Sequence, residues 1–169
     1  MILMNMKCQN RGLCAALAAL CLLSGAAGQS APSPLEIRSI AEVEATTVEA
    51  GKKVVKLIPA DRVVPGDRVV YTLEVRNVTS TVLDAPAVSH PVPEHMRYVT
   101  DSAIGPGALV SYSVDGGRTF ERTEKLTVPG PDGRARPAAA ADYTHIRWQL
   151  KNRLQANSVA FVRFRAVVK

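Results

Sequence analysis

The clearest pattern of apolar and polar positions runs from Val64 to Asn77. Pro65-Gly66-Asp67 opens a stretch in which Val69, Tyr71, Leu73 and Val75 alternate with Val70, Thr72, Glu74 and Arg76. Alternation with period two, launched by turn residues, predicts a strand with one face on a core and the other in water. The same period returns near the end of the chain. Over Tyr143 to Leu150, Ile146, Trp148 and Leu150 oppose His145, Arg147 and Gln149. Over Val159 to Val168, the inward set is Ala160, Val162, Phe164, Ala166 and Val168. These runs predict a core of Val69, Tyr71, Leu73, Val75, Ile146, Trp148, Leu150, Val162 and Phe164. Trp148 reads as a core anchor whose indole N–H needs one partner when buried.

The remaining segments are weaker versions of the same pattern. Leu35 to Val48 alternates in part and is expected as a first strand with a bulge. Its β-branched Thr46, Thr47 and Val48 favour strand over the helical periodicity of Ile40 to Ala45. Gly51 turns the chain into a short strand, Lys53 to Ile58, which Pro59 ends. Asn77 to Thr81 makes the next turn. Val82 to Val92 reads as extended, and Pro86, Pro91 and Pro93 confine it to an edge or to irregular stretches. Met96 to Val99 is one more short strand. After the loop Gly105-Pro106-Gly107, Leu109 to Val114 enters a hairpin at Asp115-Gly116-Gly117, and Thr119 to Arg122 and Lys125 to Val128 continue the β pattern. Pro129 to Ala141 is rich in Pro, Gly and Ala without apolar periodicity, and is expected as a mobile loop. About eight short strands spaced roughly 8 to 12 residues apart predict one all-β antiparallel β-sandwich over residues 35–169.

Residues 1–28 belong to a different class. Lys7 and Arg11 precede the apolar run Leu13 to Leu23, and Ser24-Gly25-Ala26-Ala27-Gly28 follows. That order is the one a secretory signal peptide takes, and the run falls short of the roughly 20 residues a membrane span needs. The expectation is an exported chain, periplasmic or secreted, cleaved after Ala27 or Gly28, with Gln29 to Pro34 as a disordered leader. The three cysteines, Cys8, Cys14 and Cys21, all lie in the signal. Leu20 stands before Cys21 where lipid attachment takes a small residue. The domain therefore carries no thiol, disulfide or cysteine nucleophile, and an exported domain without disulfides relies on its core.

Charge then narrows the partners. The whole chain carries 21 basic and 15 acidic residues; losing Lys7 and Arg11 leaves 19 against 15, a mild excess of +4. Lys52, Lys53 and Lys56 form the densest group, and Arg163 and Arg165 alternate with apolar residues. A nucleic-acid reader would gather basic charge on one element beside stacking aromatics. Here the charge reads as the solvated faces of strands, and no nucleic acid is expected.

Candidate chemistry is thin. Ser113-Val114-Asp115-Gly116-Gly117-Arg118-Thr119-Phe120 has the Asp-box spacing, in which Asp115 accepts backbone N–H bonds across a turn whose glycines tolerate positive φ. One copy cannot build a propeller, and the motif reads as structure. His90 and His95 lie five residues apart across two prolines and share no face; with His145 they offer no zinc set without recruited carboxylates. Nothing resembles a nucleophile elbow or an oxyanion loop. Glu42 and Glu44 share a strand face and read as solvent charges. Asn77-Val78-Thr79 is a formal glycosylation sequon. No catalytic, cofactor-binding or metal residue is assigned, and no cofactor is expected.

The order Pro65-Gly66-Asp67, Tyr71-Thr72-Leu73, Arg76-Asn77, then Pro91-Val92-Pro93-Glu94, Tyr98-Val99 and Ser102-Ala103 resembles a bacterial surface-protein repeat, the domain of unknown function eleven. The likeness continues through Val110 to Gly117 and Tyr143 to Trp148 to the last strand, covering most of residues 61–168. Val78-Thr79 and His90 depart from the family pattern, and only one copy is present. The resemblance implies an immunoglobulin-like sandwich in exported or envelope proteins, without a general catalytic site. Three classes of function follow: a non-enzymatic module acting by protein contact through an exposed sheet edge, with the strand that reaches Lys169 as the candidate edge; an adhesin-like carbohydrate- or surface-binding module; and a hydrolase. The first is expected, since aromatic content is 5% and most of it alternates into the core.

Overall fold

The computed structural model describes residues 33–169; the signal segment 1–28 and residues 29–32 of the leader lie outside them. Ten strands follow one another: β1 (Leu35–Glu49), β2 (Lys52–Pro59), β3 (Arg68–Asn77), β4 (Ala87–Pro91), β5 (Met96–Tyr98), β6 (Ala108–Ser113), β7 (Thr127–Pro129), β8 (Ala135–Pro137), β9 (His145–Leu150) and β10 (Val159–Val168). They form a five-stranded sheet in the order β2-β1-β3-β10-β5, a three-stranded sheet β4-β9-β6, and the small hairpin β7-β8. Every pairing is antiparallel. The protein is an all-β sandwich, with its last strand grouped with the first ones; a constant-type immunoglobulin sandwich groups its last strand with its third and sixth. No helix among the described residues is long and apolar enough to cross a membrane.

The core lies where the alternating runs meet. Leu73, Val162 and Phe164 of the larger sheet pack in one buried cluster with Val88, Ile146 and Trp148 of the smaller. Trp148 and Phe164 are fully buried with ring centroids 6.0 Å apart. Tyr71 is only half-buried, stacked at 4.8 Å on Phe164. The Trp148 indole N–H, expected to find a partner, has no protein acceptor. That orphan costs about 1–3 kcal/mol, which the burial of a large aromatic surface offsets.

Several expectations are corrected. Val70 and Thr72, assigned to the wet face of β3, are 1% and 8% exposed. Long side chains of the neighbouring strands lie over them: Arg163 Nε donates to Thr72 Oγ1 at 3.0 Å, and Arg165 Nε reaches Glu44 Oε1 at 2.7 Å. Arginine stems cover apolar surface while their heads stay polar. The register of β1 with β3 and with β2 runs without interruption, so the expected bulge is absent from the first strand. Thr119 to Arg122 contributes only the Glu121 bridge to Tyr112, and Lys125 ends a 3₁₀ turn. The segment Pro129 to Ala141, expected as a loop, holds β8 and its turn. Gly133 at φ 77° closes that turn, and Arg136 grips Asp142 with two bonds of 2.7 and 2.8 Å. A hairpin held by polar bonds leaves no apolar period to read. The Arg136 guanidinium lowers the Asp142 carboxyl to about 2.

The last strand is not an edge. β10 lies between β3 and β5, and Ile104 bridges to Arg163 beside it. Val162, Phe164 and Ala166 are at most 1% exposed and belong to the buried core cluster. The terminal strands of the larger sheet are β2 and the three-residue β5.

Candidate interaction surface

The longer of these two terminal strands is β2. The buried core cluster takes residues from β3, β5 and β10 of the larger sheet and none from β1 or β2, so the β1–β2 end lies beyond it. Only residues 35–43 of β1 pair with β3, while residues 42–49 pair with β2 on the opposite side. The second half of β1 and all of β2 therefore form a two-stranded arm. Seven of the eight β2 residues are exposed and the eighth is half-buried. Val48, Val55, Leu57 and Ile58 expose 66%, 61%, 38% and 47% of their surface.

The arm is pinned at its root and closed at its tip. At the root, Glu44 of β1 accepts from Arg165 of β10 and lies 3.7 Å from Arg68 of β3. At the tip, Ala50 and Gly51 take φ of 49° and 75°. Two successive left-handed residues make the turn whose twist suits a two-residue hairpin. Glycine takes this conformation without strain, and alanine does not. Lys56 forms an ion pair with Glu49 across the ribbon.

Ladder parity fixes which backbone groups face out. In a two-residue hairpin the closing pair, Glu49 and Lys52, exchanges both hydrogen bonds, and bonded pairs alternate from there. The bond from Ala60 N–H to the Ala41 carbonyl, 3.1 Å, falls in the same phase. Lys52, Val54, Lys56 and Ile58 thus bond to β1. Lys53, Val55 and Leu57 turn their N–H and C=O groups to the open edge, and Pro59, without an N–H, ends it. An unpaired edge of this kind is a template for another strand.

Other candidate chemistry resolves into structure. In the Asp-box turn Ser113 Oγ donates to Asp115 Oδ1 at 2.7 Å, and Asp115 accepts from the Arg118 and Thr119 N–H groups and from Thr119 Oγ1. The Thr119 and Ser113 bonds hold the Asp115 carboxyl far below the usual carboxylate range. The His90 ring packs 5.5 Å from Phe164 and 6.0 Å from Tyr71, with Nδ1 2.7 Å from the Pro91 carbonyl. Burial lowers its pKa, so it is neutral at pH 7 and donates from Nδ1. His145 lies one register position away on β9, facing the other side of the small sheet. Among the described residues no three His, Cys, Asp or Glu side chains gather to hold a metal.

A cavity of about 450 Å³ between Pro91 to Tyr98 and Ala141 to His145 holds Glu94, Asp142 and His145. Asp142 is committed to Arg136, and His145 Nδ1 lies 3.3 Å from Thr144 Oγ1. The Thr144 hydroxyl donates to the Ser113 carbonyl and accepts from the Gly116 N–H, both at 3.1 Å, so it is held as part of the turn. A smaller cleft of about 330 Å³ lies beside β10, lined by Ile104, Pro106 and Phe161 among others; Phe161 is 53% exposed.

The sequon residue Asn77 is wholly buried. Its Nδ2 donates to the carbonyls of Thr81, Leu154 and Gln155 at 2.8, 3.1 and 3.0 Å. Its Oδ1 accepts from Thr79 N–H and Oγ1 at 2.9 and 2.7 Å. The nitrogen a glycan would need is thus already engaged. Comparison of the chain with family models, with curated proteins and with solved structures finds no match.

Proposed function

We propose that the protein is a non-enzymatic exported module, of the kind its resemblance to bacterial surface repeats implies, and that it acts by protein contact through the open edge of β2. The observation that carries this reading is the overhanging arm. An isolated two-stranded ribbon is only marginally stable in water, yet this one presents four apolar side chains and an unpaired edge to solvent. Strand addition would supply what the ribbon lacks: main-chain hydrogen bonds for affinity and side-chain contacts on both faces for selection. The signal segment supports export. The carbohydrate-binding reading has less behind it, because Tyr98, Tyr112, Tyr143 and Trp148 are all buried. Phe120 lies beneath the Arg147 guanidinium, 3.7 Å from it.

The test is photo-crosslinking in cells, with the crosslinker placed at Val55 or, as control, at the exposed Arg118 on the Asp-box turn. Fractionation before lysis places the protein in its compartment. A reproducible protein adduct from position 55, absent from position 118, is the expected result. Equal labelling from both positions, or adducts only from position 118, would remove β2 as the contact.

A further inference from the structure

The charge on β2 specifies what kind of strand fits it. β2 carries Lys52, Lys53 and Lys56 and no acid. Lys52 and Lys53 make no ion pair among the described residues; of the four acids of β1, Glu44 is held by Arg165 and Arg68 and Glu49 by Lys56 of β2 itself, and Glu36 and Glu42 reach no lysine of β2. Two copies of β2 joined edge to edge would bring six lysines together without an acid between them. Lysine on an exposed edge is how natural sheets discourage self-pairing. It leaves the edge open to a strand of opposite charge.

We infer that the occupant of the β2 edge is an extended segment of another protein in which acidic and apolar residues follow a set order. The inference rests on strand addition at β2. An antiparallel partner meets β2 from Ile58 back to Lys52. It therefore sets apolar side chains opposite Ile58 and Leu57, an acid opposite Lys56, apolar side chains opposite Val55 and Val54, and acids opposite Lys53 and Lys52. Leu57, Val55 and Lys53 lie on one face of the ribbon, and Ile58, Lys56, Val54 and Lys52 on the other, so both faces select. Opposite charges directly across an antiparallel pair stabilise it and like charges destabilise it.

The probe is a short fluorescein-labelled peptide, Ile-Val-Glu-Val-Val-Glu-Glu, compared with its twin in which lysine replaces each glutamate. Binding is read by fluorescence anisotropy at low salt. The acidic peptide is expected to bind about tenfold or more tightly than the twin, with a preference that shrinks as salt is added. Val55→Pro removes an outward N–H without touching a bond to β1 and should abolish binding. The triple reversal K52E/K53E/K56E should invert the preference while keeping strand addition. Equal binding of both peptides that Val55→Pro abolishes would overturn the acidic partner and leave strand addition standing. Acidic-peptide binding unaffected by Val55→Pro would overturn strand addition itself. Self-association of the protein that Val55→Pro abolishes, with neither peptide bound, would put a second copy on the edge and overturn the inference.

Discussion

β2 and β3 are made of much the same material, and the fold treats them in opposite ways. β2 offers Val54, Val55, Leu57 and Ile58; β3 offers Val69, Val70, Leu73 and Val75. The four β3 side chains are at most 1% exposed, whereas Val55 is 61% and Ile58 47% exposed. Apolar content does not separate them. Neighbours do: β3 has a strand on each side and the small sheet beneath, while β2 has one strand beside it. An apolar alternating run thus specifies a strand, and its place in the sheet order decides whether that strand is core or contact surface. The lysines mark the difference, since β2 has three in eight residues and β3 has none.

The largest effect should come from truncating one side chain of the core that β3 packs into and one of the arm. Trp148→Ala empties the centre of the sandwich and should cost about 3–5 kcal/mol, a large share of the roughly 5–15 kcal/mol that holds a domain together. Val55→Ala on the arm should move stability by no more than about 0.5 kcal/mol. Urea unfolding followed by tryptophan fluorescence, or by circular dichroism for the Trp148 variant, reads both. A Val55→Ala cost near that of Trp148→Ala would mean the arm is packed in solution, and the contrast would collapse.

Next in size is Asn77, where the ends of the core strands are tied together. Its amide faces three carbonyls, from Thr81, Leu154 and Gln155. Asn77→Asp puts a carboxylate against those oxygens in a buried site, and should cost about 3 kcal/mol. Asn77→Ala leaves the same carbonyls unpaired without adding charge and should cost less. The order of the two urea midpoints is the measurement; the reverse order would show that the carbonyls find other donors.

Asn77 also shows where the sequence stops being readable. Its place after an alternating strand announces a turn, but two of its three acceptors lie 77 and 78 residues further along the chain. The core was legible because Leu73, Ile146, Trp148, Val162 and Phe164 alternate within their own segments. The cover over Val70 and Thr72 was not, because it comes from Arg163 and Arg165 on a distant strand. The arm lies between these cases. Lys52, Lys53 and Lys56 stand out in the sequence as the densest basic group, and they read there as a solvated face. That they flank an unpaired edge depends on β1 being 15 residues long while β3 pairs with only its first nine. Sheet order is non-local, and for the same reason the strand ending at Lys169 looked like an edge and is an interior strand.

The smallest effect probes whether the arm opens apart from the core. Ala50 sits at φ 49°, in the left-handed region that costs an alanine roughly 1 kcal/mol and that asparagine tolerates. Ala50→Asn should therefore stabilise the hairpin tip by about 0.5 kcal/mol, or about twofold in its opening equilibrium. Local and global openings are separate events when a segment shares few buried contacts with the rest. Amide exchange at Lys52, Val54 and Lys56, whose N–H groups bond to β1, should then slow about twofold, while the urea midpoint stays where it was. A shift of that midpoint with unchanged exchange on the arm would mean that the ribbon unfolds with the sandwich. The arm would then be a structural part of the domain, and an edge held ready for a partner strand would lose its physical basis.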